Sequence, residues 1–194
     1  FLDLASNSGS RVTSLTSGDK IVYDETVPTL PTVDISSNNS NGATFAKVGD
    51  VITISVSASE NIQTPTVTVA GNAAAIATGS NGERVYTATY TMQSSDNTGV
   101  VPFTVDFSDM ANNAGTQVTA VANDSDGGVT FDKQAPSFTT VTMSSNNSTS
   151  TLAIVNDVIT LNLTSDEAIK TGSDPTITVN GNTATVTRNS TTSF

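Results

Sequence analysis

The chain has 194 residues, 18 acidic against 7 basic, a formal net charge of −11, and no Cys, His or Trp. A Ser-His-Asp triad, a Cys nucleophile, a His general base, a Cys/His zinc site and haem ligation through His or Cys are therefore impossible within it. The acidic balance repels a phosphate backbone, which argues against nucleic acid as a partner, and oxygen-bound hard cations are its natural partners.

Phe1 opens a strand-like segment, not a charged stretch followed by an apolar one, so no signal peptide is predicted. No run of 18 apolar residues exists, so no membrane insertion is expected. Further along, alternation of apolar and polar residues predicts strands near 31–36, 51–58, 66–70, 73–77, 84–92, 99–107 and 117–131. It is plainest in Val51-Ile52-Thr53-Ile54-Ser55-Val56-Ser57 and in Val85-Tyr86-Thr87-Ala88-Thr89-Tyr90-Thr91. Thr, Ser and Asn together make up 77 of the 194 residues. Thr is β-branched and polar, so strand chemistry alone accounts for its abundance. Gly71-Asn72 and Gly181-Asn182 read as tight hairpin turns. No helical period of useful length is present. About seven strands in about 108 residues is the count of an immunoglobulin-like sandwich.

The sequence repeats itself. Tyr23-Asp24-Glu25-Thr26-Val27-Pro28 pairs with Phe131-Asp132-Lys133-Gln134-Ala135-Pro136 at an offset of 108. Ser36-Ser37-Asn38-Asn39-Ser40 pairs with Ser144-Ser145-Asn146-Asn147-Ser148 at the same offset, and Ser59-Glu60 with Asp166-Glu167 at 107. Phe1-Leu2-Asp3 through Gly9 pairs with Phe107-Ser108-Asp109 through Gly115 at 106. The expected organisation is the C-terminal strands of one repeat in 1–23, a whole repeat in 24–131, and the N-terminal part of a third in 132–194. The chain thus looks like a window on a longer tandem array.

Strand direction alternates, so the start of the first strand and the loops near 60 and 109 fall at one end of the sandwich. Asp24 and Glu25, Glu60, and Asp109 with Asn112 and Asn113 should meet there, although they are distant in sequence. Asp132, Asp166 and Glu167 occupy the matching positions of the next repeat. Crowded like charges need a neutralising partner, and Ca²⁺ takes six to eight oxygens from carboxylates, amides and carbonyls. Calcium is therefore the expected ligand.

These motifs resemble those of the bacterial Ig-like (cadherin-like) tandem repeats of large secreted and cell-surface adhesin-type proteins. The resemblance rests on Asp109-Met110-Ala111-Asn112-Asn113-Ala114-Gly115, on Phe131-Asp132-Lys133-Gln134-Ala135-Pro136, and on Ala46 to Thr53 followed by Ala58-Ser59-Glu60. It covers the whole chain. Asn112 stands where that pattern has Gly, and Glu25 or Lys133 where it has Thr. The resemblance implies a linker stiffened by calcium through Asp24, Glu60, Asp109 and Asp132. The expected function is a non-catalytic extracellular extension module whose partners are neighbouring repeats of the same chain. Two others compete: a subunit of a fibre or sheath that self-associates through unpaired strand edges, and a carbohydrate- or partner-binding module. Few aromatics and no Trp weigh against sugar binding. Carboxylates at a domain end with no cleft weigh against an enzyme. Asn-x-Ser/Thr triplets at Asn38, Asn123, Asn146, Asn147, Asn162 and Asn189 are expected by chance in so Asn- and Thr-rich a chain.

Overall fold

A computed structural model describes residues 1–14, 18, 21–77, 79–80, 82–121 and 128–194. The triplet at Asn123 and the middle of the strand expected over 117–131 lie outside them. The described residues are all-β, with no helix. The chain divides into two compact units, Phe1–Lys133 and Gln134–Phe194.

In the first unit, β1 (Thr32–Ser37), β3 (Val51–Ser57), β7 (Val85–Thr91) and β6 (Ala75–Ile76) form one antiparallel sheet in that order. A second sheet orders β5 (Asn72–Ala73), β4 (Thr66–Val69) and β9 (Phe103–Asp106). A third places β10 (Thr130–Phe131) between β2 (Phe45–Ala46), to which it runs parallel, and β8 (Gly99–Val100). Side chains alternate along a strand, so Ile52, Ile54 and Val56 of β3 turn inward together. They join Val33, Tyr86 and Ala88 from the first sheet, Val67, Val69, Phe103 and Val105 from the second, and Ala46 and Phe131 from the third in one core. Sheets closing on a shared core are the arrangement of a β-sandwich.

Two expected strands are interrupted. The one over 99–107 divides at Val101-Pro102, because proline has no N–H for the ladder. The one over 73–77 leaves one sheet for the other at Ala74, with β5 pairing to β4 and β6 to β7. The hairpin turns also sit one residue earlier than Gly71-Asn72 and Gly181-Asn182 suggest. Their centres are Ala70-Gly71 (φ 51° and 78°) and Asn180-Gly181 (φ 49° and 78°). Both central residues have positive φ, as the type I′ turn that matches strand twist requires. Alanine is the poorer occupant of that conformation. Ala70→Asn should therefore stabilise the protein, by up to about 1 kcal/mol, as a higher urea midpoint.

In the second unit, β11 (Phe138–Ser145) and β12 (Ile159–Ser165) pair antiparallel, and β13 (Thr178–Val179) with β14 (Asn182–Thr183) forms a hairpin. The end of the chain runs along β12: the Leu163 and Phe194 backbones exchange hydrogen bonds of 3.0 and 3.1 Å. The Arg188 guanidinium covers the Phe194 ring at 4.7 Å from its centroid and pairs with Asp174.

Hydrogen bonds recur at the sequence offset. Asn39 Nδ2 and the Lys47 N–H donate to Asp50 Oδ2, while the Val51 N–H donates to Asn38 Oδ1. Asn147 Nδ2, the Ile154 N–H and the Val158 N–H make the same bonds to Asp157 and Asn146. The Asn-Asn pairs therefore pin the loop between the first two long strands of each unit.

Candidate metal centre

The site begins with the loop that follows β9. A carboxylate can accept backbone N–H groups two to four residues ahead and fold a short loop about itself. Asp109 does this: its Oδ1 accepts from the Ala111 and Asn113 N–H groups, both at 2.8 Å, and its Oδ2 from Asn113 Nδ2 at 2.8 Å. The turn needs one left-handed residue, which is Asn112 at φ 70°. Asparagine tolerates that region better than most residues. Asp3 builds the same loop near the start of the chain, with Ala5 and Asn7 as donors and Ser6 at φ 65°.

Asp109 is buried. Burial raises its pKa, but the bonds from the Asn113 side chain and from the Asn113, Ala111 and Asn112 backbone outweigh it and hold the carboxyl below its ordinary 3.8. Asp157 is lowered too, by the Asn147 side chain and the Ile154 N–H. A folded pKa below the unfolded one gives stability that is complete above the unfolded value and disappears as pH falls through the folded one. Urea midpoints should thus hold down to about pH 4 and drop below it. Asp109→Asn and Asp157→Asn should each shrink that drop.

Two further segments reach the Asp109 loop. After β3 the chain runs beside it: Ile62 bridges to Asp109, and the Gln63 N–H donates to the Ser108 carbonyl at 2.9 Å. Gln63 Nε2 donates to the Asp109 carbonyl (2.9 Å) and to Asn112 Oδ1 (2.8 Å). From the core side, the Tyr86 hydroxyl donates to the Ile62 carbonyl at 3.1 Å and to Glu83 Oε2 at 2.5 Å. Burial and the bond to Glu83 push its pKa up to about 12. The segment before β1 is tied by Ser59, whose N–H donates to the Thr29 carbonyl and whose hydroxyl accepts the Thr29 N–H. It is tied again by Asn113 Nδ2, which donates to the Asp24 carbonyl at 3.2 Å.

The result is a triad. Carboxylate oxygens of Asp24, Glu60 and Asp109 all lie within 4.8 Å of one another. Calcium binds oxygen at about 2.3–2.6 Å, so two ligands on one ion stand at most about 5 Å apart. The three acids could hold a metal ion. No protein-family model matches this chain, and no curated protein or solved structure matches it.

The other expected ligands are placed differently. Glu25 lies outside the triad and accepts from the Tyr23 hydroxyl. Asn112 Oδ1 faces Gln63, and the Asn113 amide nitrogen serves both Asp24 and Asp109. The Asp132 N–H extends the β10–β2 pairing to the Ala46 carbonyl. In the second unit Asp166 accepts the Ser137 N–H and hydroxyl, and the Glu167 carbonyl accepts the Ser165 hydroxyl. Among the described residues no second group of three acids converges. Lys133 Nζ donates to the Ser94 and Asp96 carbonyls.

Proposed function

We propose that the chain is a stretch of tandem immunoglobulin-like repeats acting as a non-catalytic extracellular extension module, with calcium held by Asp24, Glu60 and Asp109. The observation that carries this reading is the convergence of three acids from three separate segments: the approach to β1, the loop after β3 and the loop after β9. The strand order β1-β3-β7-β6, closed on a shared core with the sheet containing β4 and β9, supports the immunoglobulin-like part. The recurrence of the Asp109 loop at Asp3 and of the Asp50 network at Asp157 supports the repeats.

The work of such a module is mechanical. A divalent ion cancels the repulsion among three close carboxylates and joins segments that are otherwise linked by a few hydrogen bonds. It thereby fixes the direction in which the chain enters the sandwich. Extracellular calcium modules bind in the range of roughly 0.1–1 mM, where the ion is plentiful outside cells.

Hydrogen exchange on the full chain tests this. Calcium should slow exchange at residues 24–30 and 109–113 and leave β11 and β12 unchanged. Unchanged exchange at 24–30 in millimolar calcium overturns the proposal.

A further inference from the structure

The chain leaves the first unit through Asp132 and Lys133, the last residue of that unit. Beside this exit lies the turn at 93–96, which folds about a buried carboxylate. Asp96 is 6% exposed. Its Oδ2 accepts the Gln93 N–H at 2.7 Å, and its Oδ1 accepts the Tyr90 hydroxyl at 3.2 Å and Asn72 Nδ2 at 3.4 Å. The Asp96 N–H in turn donates to the Gln93 carbonyl at 3.1 Å. These bonds hold the turn from the inside and so fix where its carbonyls stand. Two of those carbonyls, Ser94 and Asp96, accept from Lys133 Nζ at 3.0 and 2.7 Å. One residue earlier the backbone is held as well, where the Asp132 N–H donates to the Ala46 carbonyl at 2.8 Å. An ammonium is a donor only, so two converging carbonyls suit it, and bonds from a charged donor are stronger than neutral ones. The residue at the same place one repeat earlier is Glu25, whose carboxylate could donate neither bond.

We propose that Lys133 is a latch: its ammonium, seated on the 93–96 turn, holds the chain's exit from the first unit and shuts the Lys133–Gln134 peptide bond to trypsin-like proteases. Such a protease draws the lysine side chain into an acidic pocket of its own before it cuts. Here the side chain is already engaged and the preceding N–H is already bonded, so both must be released first. The position gives the latch its consequence. Lys133 is the sole Lys or Arg between Arg84 and Lys170, and the two compact units meet in sequence at the bond that follows it. A cut there parts the two units without breaking either. The cation of this latch belongs to the chain itself, so the latch works without calcium and stands apart from the reading of Asp24, Glu60 and Asp109.

Two measurements on the full chain, both in chelator, test it. The first is hydrogen exchange at the Asp132 amide, followed by NMR. Lys133→Met should speed it roughly threefold to tenfold, as the loss of a charged hydrogen bond at an exposed site does. Lys133→Arg keeps a cationic donor and should exchange at the wild-type rate. The second is limited trypsin digestion, reading the fragment that begins after the cut. Lys133→Gln with Gln134→Lys moves the lysine one residue past the turn and leaves a cleavable bond after it. Relative to synthetic peptides of the same two sequences, this double variant should be cut at least about fivefold faster than the wild type, the same loss read through access. Residues 133 and 134 are exposed, so none of these substitutions reaches the core. Exchange at Asp132 that is unchanged in Lys133→Met, or raised equally in Lys133→Arg, overturns the proposal. So does a wild type that trypsin cuts, relative to its peptide, as fast as the double variant.

Discussion

Asp24→Asn and Glu60→Gln, singly or together, will remove the calcium-dependent rise in melting temperature without lowering the melting temperature in chelator. The argument is electrostatic. Three carboxylates within 4.8 Å repel one another when no ion is bound. Neutralising one relieves that repulsion and deletes a ligand at the same time. For the wild type, an ion at one hundred times its dissociation constant adds about 2.7 kcal/mol. In a protein of this size that is a rise of roughly 5–10 °C. Asp109→Asn should behave differently. Its carboxylate accepts from two backbone N–H groups and the Asn113 amide, and a replacement amide turns an N–H toward a donor. This variant should lose the calcium response and also melt earlier in chelator. Scanning calorimetry of the wild type and these variants with and without calcium checks both statements. A wild type insensitive to calcium contradicts them.

Gly115→Ala will destabilise the protein by about 1–3 kcal/mol, the range of an overpacked core. A Cβ on Gly115 would stand 2.2 Å from a ring carbon of Phe107. Phe107 belongs to the buried core, so either the ring leaves its place or the Asp109 loop moves. Space is the obstacle here, not backbone conformation. Gly9 provides the control: its Cβ would meet the Phe1 ring at 2.1 Å, but Phe1 is exposed and can swing into solvent. Gly9→Ala should fall within about 0.5 kcal/mol of the wild type, as surface substitutions do. Urea titrations of the two variants give the comparison. Because the Asp109 loop moves with Gly115, calcium affinity should weaken in Gly115→Ala alone.

Much of the all-β architecture was legible in the sequence because an alternating strand buries every second residue. Val51 to Ser57 declares its inward face in its own order. Breaks in the ladder were harder. Pro102 had to be recognised as a missing donor within an otherwise continuous strand. Ala73-Ala74-Ala75 has no bulky side chain to hold it to one sheet. The convergence of Asp24, Glu60 and Asp109 followed from strand direction alone. What binds those segments together did not. Gln63 joins two loops through one amide, yet a lone glutamine in a polar loop has no distinguishing pattern. Asn112 and Asn113 are legible as oxygen donors because amides coordinate cations, but that the Asn112 oxygen accepts from Gln63 and the Asn113 nitrogen joins Asp24 to Asp109 is visible only in the fold. The Asn-Asn pairs at 38–39 and 146–147 stood out only as repeat markers, and their role as donors and acceptors around Asp50 and Asp157 needed the fold. The same limit applies to β11. Its pattern matches that of β1, and only three dimensions show that its apolar face is uncovered.

Diffraction from crystals grown with calcium tests the central claim most directly. The expected result is one anomalous peak among the carboxylates of Asp24, Glu60 and Asp109, with metal–oxygen distances of about 2.3–2.6 Å. A calcium-grown crystal with no peak there, and the three carboxylates turned away from one another, would contradict it.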